Sequence, residues 1–186
     1  VGLLDVALVK GQPSSARLSD VEADLPAGGT ARAALLTLRF RAAAGRFSPT
    51  GLPEVEVEGG AVTPWKKMAL TGISGGVRVD ESDPRRALLA LRGGYGGVDR
   101  VLWEAEGWLR PGRVPFLDTP REPTTPDSPA EAAAAIVKVR AARFQLSSLE
   151  PILKDTPIID ADRTEVDASL DVRYADATLD VDGTFH

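Results

Sequence analysis

Over the last fifth of the chain, apolar and polar residues change places at every step. Val166, Ala168, Leu170, Val172 and Tyr174 alternate with Glu165, Asp167, Ser169, Asp171 and Arg173, a period of two that gives a strand one oily and one charged face. After a turn at Ala175-Asp176 the arithmetic resumes. Ala177, Leu179, Val181 and Phe185 share one side, and Thr178, Asp180, Asp182 and Thr184 the other. The spacing predicts an antiparallel hairpin.

Similar runs precede it. Leu4, Val6 and Leu8 alternate with Leu3, Asp5 and Ala7, ahead of turn-forming residues at 11–15. From Ala16 the alternation runs through Leu18 and then changes parity to Val21, Ala23 and Leu25, which predicts one extra residue, a bulge, near Asp20. Leu36, Leu38, Phe40 and Ala42 form the next apolar face, although the Ala, Leu and Arg content of 31–44 also suits a short helix. Leu52 to Glu58 alternates almost purely and is expected to close at Gly59-Gly60. Met68 to Asp80 carries apolar residues around Gly72, Gly75 and Gly76, where glycine marks bulges or close backbone approach.

Ala87 to Leu91 leads into Gly93 to Gly97, read as a flexible bend. Val101, Trp103, Ala105 and Leu109 then line one face, while Trp108 falls among the polar positions of the other and suggests cover on both sides. Prolines at 111, 115, 120, 123, 126 and 129 predict an exposed extended loop over 111–130. Ala135, Val137, Val139 and Ala141 resume the alternation, with a second parity change before Phe144 and Leu146. Ser147 and Glu150 have capping-box spacing around Pro151, so one short helix is expected near 147–154. The sum is roughly nine strands: a mainly β chain, 1–186 forming a single region, expected as an extended, twisted antiparallel sheet.

Composition narrows the functions. Charged residues make up 26% and hydrophobic ones 43%, values of a folded chain without a bundle of membrane spans. Net charge is -5, so no overall positive field would gather nucleic acid. The absence of cysteine removes disulfides, thiolate metal sites and cysteine nucleophiles, and is compatible with cytosol or periplasm. The chain starts at Val1 and stops within a strand-like pattern at His186, and reads as a segment of a longer protein.

No stretch assembles catalytic, metal-binding or cofactor-binding chemistry. Gly72-Ile73-Ser74-Gly75-Gly76 has the spacing of a nucleophile elbow, but strand rather than helix is expected after it and the single histidine is His186. The Gly93 to Gly97 run lacks a phosphate-loop lysine. Asp160, Asp162, Thr164 and Asp171 echo a calcium loop, yet Glu165 stands where its sharp turn needs glycine. Glu54, Glu56 and Glu58 follow strand alternation. Trp65, Trp103 and Trp108 could stack on sugars but suit core or sheet cover better.

The stretch from Phe144 to Phe185, FQLSSLEPILKDTPIIDADRTEVDASLDVRYADATLDVDGTF, resembles the repeating unit of AsmA-like and TamB-like bacterial envelope proteins. There a strand leads to a short Leu-Glu-Pro-Leu helix and then to aspartate-rich strands ending in an "L-x-V-x-G" phrase. The resemblance covers about a quarter of the chain closely and implies an open β-groove. Its apolar inner side would carry phospholipid acyl chains between membranes, in the periplasm, tethered to the inner membrane by a segment outside this chain. On that reading the lipid-facing candidates are Val137, Val139, Val166, Ala168, Leu170, Val172, Leu179, Val181 and Phe185, with no enzyme chemistry and no cofactor. A similar region precedes the catalytic domain of some peptidoglycan glycosyltransferases, which leaves a scaffold role as an alternative. A closed β-sandwich binding glycan or protein is the other, since it needs the same alternation.

Overall fold

The computed structural model describes residues 2–9, 12–25, 29–40, 54–65, 68–96, 100–114, 133–149, 163–175 and 177–186. Alternation becomes ten strands: β1 (Leu3–Val9), β2 (Gln12–Asp24), β3 (Thr30–Arg39), β4 (Glu54–Trp65), β5 (Met68–Val79), β6 (Ala87–Tyr95), β7 (Trp103–Leu109), β8 (Ala133–Gln145), β9 (Glu165–Ala175) and β10 (Thr178–Phe185). They form one open antiparallel sheet in which spatial order equals chain order. The mainly β expectation holds. Segment 30–39 is strand rather than helix, because pairing with both neighbours overrides the helix propensity of its alanines.

Register turns the alternation of single strands into rows across the sheet. Val6, Ala16, Leu38, Val55, Val77, Leu89, Gly107, Val137, Val172 and Val181 are successive cross-strand partners from β1 to β10. Two residues along the strands lies a second row: Leu4, Leu18, Leu36, Val57, Gly75, Leu91, Ala105, Val139, Leu170 and Gly183. Directly paired residues project from the same side of a sheet. One face is therefore apolar over a width of about 43 Å, nine interstrand spacings of about 4.8 Å. Among the described residues no second sheet or helix packs on it, and the row residues of β3 to β9 are half-exposed rather than sealed. The closed sandwich is thus not the architecture.

Parity changes in the sequence mark a line of bulges. Asp20 on β2, Gly59 on β4 and Gly72 on β5 have left-handed φ values of 49, 60 and 57. On β3 the apolar positions pass from Ala31 and Ala33 to Leu36 and Leu38, while the β2–β3 and β3–β4 registers are the same on both sides of the line. An extra residue in one strand is matched in the next, so the apolar side stays apolar while the strands bend. The line ends at the register shift between β5 and β6 after Thr71. Gly59-Gly60 consequently does not close β4, which continues to Trp65. Likewise β6 runs through Gly93 and Gly94 to Tyr95, so the expected bend begins later, at Gly96. The second parity change appears at Arg143 on β8, with φ 57. The hairpin turn after β9 uses Ala177, with φ 61, rather than placing it on the strand face.

Full burial is confined largely to the strand ends. Val79, Ala87, Ala133 and Ala134 are buried at one end, with Val114 after β7. Pro111–Arg113 forms a 3-10 turn. Within the proline-rich loop only 111–114 is described, and exposure is not found there, since Pro111 and Val114 pack inward. Of the helix expected near 147–154 the described part is a 3-10 turn, Leu146–Leu149; residues 150–154 lie outside the described residues.

At the same end Arg110, 2% exposed, meets the Asp83 carboxylate at 3.2 Å. Asp83 also binds Arg85 at 3.1 Å and Arg86 at 3.2 Å, and Arg86 stacks 4.4 Å over the Trp108 ring. This is the cover on the second face that Trp108 suggested. Partial burial opposes ionisation of Asp83, but hydrogen bonds from the Arg85 side chain and backbone and the charges of Arg85 and Arg110 prevail and hold its carboxyl below the usual range.

Two outcomes are expected in urea unfolding. Asp83→Ala removes the carboxylate that meets buried Arg110 at 3.2 Å and costs about 3 kcal/mol, whereas an unchanged midpoint would mean that this ion pair contributes nothing to stability. Gly75 has φ 116, and a Cβ there would overlap the Ala90 carbonyl oxygen, so Gly75→Ala costs about 1–3 kcal/mol. A neutral substitution would contradict the close approach of β5 to β6.

Candidate functional site

All nine residues singled out in the sequence lie on the apolar face, on three adjacent strands. Val137 pairs with Val172 and Val172 with Val181; Val139 pairs with Leu170; Ala168 pairs with Phe185; Val166 pairs with Phe144; Leu179 pairs with Tyr174. Those on β8 and β9 are half-exposed, and on the β10 edge Leu179, Val181 and Phe185 are 62%, 56% and 57% exposed. The face extends beyond these three strands. Leu4, Val6, Leu18, Leu36, Leu38, Val55, Val57, Val77, Leu89 and Leu91 continue the same face over β1 to β6. Their alternation is visible in the sequence, but the bulges on β2 to β5 hide that it belongs to one side.

The opposite face is charged and paired. Arg39 meets Glu56 at 2.8 Å, Lys138 meets Asp171 at 3.7 Å and, beside the bulge line, Arg32 meets Glu22 at 2.8 Å. Exposed pairs of this kind contribute about 0–1 kcal/mol each. Their effect is to keep that side hydrated, and the two faces differ in what they can touch.

At the end of the sheet away from Asp83, the apolar face meets a cavity of about 280 Å³. Met68, Leu102 and Phe144 supply apolar lining, and Tyr95, Arg100, Arg143, Gln145, Ser148 and Glu165 supply polar groups. The β8 bulge builds much of it. Left-handed Arg143 donates its backbone N–H to Asp167 at 2.7 Å and its Nε to Glu165 at 3.0 Å. The same kink presents the Ala142 carbonyl to the Tyr95 hydroxyl, which donates to it across the end of β7. The Tyr95 and Phe144 rings meet edge to face at 5.2 Å. Trp103 donates its indole N–H to Gly94 O at 3.0 Å, so aromatic side chains gather here through specific polar ties.

The sequence motifs do not converge on this place. Ser74 lies inside β5, with strand on both sides, and takes a long 3.4 Å hydrogen bond from Arg92. Glu56 is tied to Arg39, and Glu54 accepts the Val79 N–H at 3.3 Å. Asp171 projects from the charged face toward Lys138, whereas Asp160 and Asp162 lie outside the described residues. No helix among the described residues is long and apolar enough to cross a membrane. Nor does the chain resolve into a known group: it matches no family model, no curated protein and no solved structure.

Burial, followed by the charges of Glu165 and Asp167, pushes the Tyr95 hydroxyl up to about 12. A raised folded-state value adds stability that is fully present below the unfolded range near pH 10 and is lost as pH rises through about 12. In a Tyr174→Phe variant Tyr95 is the single remaining tyrosine, and its phenolate absorbance should appear near pH 12. Appearance near 10, while the sheet is intact, would show the ring to be solvated.

Proposed function

We propose that the sheet is a non-enzymatic lipid-contacting segment of a cell-envelope protein, holding phospholipid acyl chains on its apolar face. The observation carrying this reading is the pair of apolar rows that cross all ten strands with no covering layer among the described residues. An apolar patch of that extent on a soluble protein ordinarily marks an interaction surface. Several features favour acyl chains over a fixed protein partner. The rows consist mainly of Val, Leu, Ala and Gly, with aromatic residues gathered toward one end, a smooth lining that imposes little side-chain shape on its occupant. The resemblance of Phe144 to Phe185 to AsmA-like and TamB-like repeats points the same way. It supports a periplasmic setting, with a tether to the inner membrane supplied by a segment outside this chain.

The mechanism is passive. Each methylene that leaves water for the apolar face contributes about 0.8 kcal/mol, and the chain can shift along the rows because no polar contact fixes it there. Charged pairs on the reverse side stay in water throughout. No bond is made or broken.

Mass spectrometry of organic extracts from gently purified protein should find co-purifying phospholipid. Leu170→Asp combined with Val181→Asp should abolish its retention while the far-ultraviolet β-sheet spectrum is kept, since both side chains are part-exposed already. Unfolding of the double variant, or undiminished lipid, would sink the reading.

A further inference from the structure

We propose that the cavity at the Tyr95 end of the sheet receives the anionic head of a lipid whose acyl chains lie on the apolar rows. This rests on the lipid reading above and adds to it a headgroup class and a place where the lipid is anchored. The cavity adjoins the apolar face, since Phe144 and Tyr95 belong to that face through pairing with Val166 and Leu70 and both line the cavity. Its floor of Met68, Leu102 and Phe144 suits the glycerol and first methylenes, and its rim is polar.

Charge selects the head. Of the three ionised groups lining the cavity among the described residues, Arg143 and Glu165 neutralise one another at 3.0 Å. Asp167 accepts the Arg143 backbone N–H at 2.7 Å and is not among the described lining residues. Arg100 is left. It is exposed, and among the described residues it has no carboxylate partner. Among the described residues the site therefore carries one uncompensated positive charge on a guanidinium, whose planar fork of donors matches phosphate oxygens. Gln145 adds a neutral, exposed amide on the same rim. One positive charge beside an apolar floor fits a phosphodiester lipid with a net charge of minus one better than a zwitterion or a free inorganic phosphate.

Calorimetric titration of the whole 186-residue chain with short-chain dihexanoyl lipids below their micelle concentration tests this. Dihexanoyl phosphatidylglycerol should bind about fivefold more tightly than dihexanoyl phosphatidylcholine, the scale of one partly solvated ion pair. Arg100→Gln should remove that preference and bring the two lipids to equal affinity. Arg92→Gln, on the opposite face beside Ser74, should keep it. Equal binding of the two lipids by the unaltered protein, or a preference that survives Arg100→Gln, overturns the head site while leaving the lipid reading standing. Displacement of phosphatidylglycerol by equimolar inorganic phosphate overturns it in favour of a free-anion site. Failure of both lipids to bind defeats the lipid reading itself.

Discussion

In-register pairing of alternating strands is the constraint from which the rest of this molecule follows. Side chains that face each other across a ladder leave the sheet on one side, so a row such as Val55, Val77 and Leu89 is set as soon as β4, β5 and β6 pair. Ten strands in chain order extend the row without a break. A slip of one residue anywhere would send Val and Leu into the layer of Arg, Lys, Asp and Glu. Register and separation of the two faces are thus the same fact, and the absence of a second layer among the described residues leaves one of the faces uncovered by them.

Strand sequences that change parity would spoil this arrangement unless the backbone absorbed the extra residue. The left-handed conformations of Asp20, Gly59 and Gly72 do so in concert, and Arg143 does so separately on β8. Such conformations are strained outside glycine, and at Arg143 the surroundings hold it: Asp167 takes the freed N–H and Glu165 the guanidinium. The kink also frees the Ala142 carbonyl that Tyr95 uses. The device that keeps the face apolar therefore also shapes the cavity at its end. At the other end the Asp83 and Arg110 pair, under Trp108 and Arg86, performs a purely structural task by fixing the β5–β6 turn onto the charged side.

Much of this is legible in the sequence, and the rest fails for identifiable reasons. The hairpin from Glu165 to Phe185 can be read directly because neither strand contains a bulge, so parity and side coincide. The bulge at Asp20 is equally plain, since Leu18 and Val21 differ in parity. Gly59-Gly60 misleads because glycine serves both as a strand terminator and as a bulge former, and what decides between them is a matching irregularity in β3 and β5, far away in the chain. Segment 30–39 is legible as strand from the alternation of Leu36 and Leu38, but its alanine, leucine and arginine also favour helix locally, and what decides between them is pairing with Ser15 to Asp24 and Glu54 to Thr63. The cavity is invisible from sequence. Its lining comes from the ends of four strands, β5, β6, β8 and β9, and from the turns beside them; Tyr95 stands in the glycine run that reads only as a bend, and Arg100 belongs to no motif.

Because the chain contains no cysteine, single introduced thiols can report which side of the sheet is open. The decisive measurement is the maleimide labelling rate of Val172→Cys, in the middle of the apolar face, compared with Lys138→Cys on the charged face, each with and without phospholipid micelles. An open face that takes up acyl chains predicts ready labelling at 172 in the native protein, strong protection there by micelles, and no protection at 138. A thiol at 172 that is inert in the folded protein whether or not lipid is present would mean that the face is sealed, and would contradict the account.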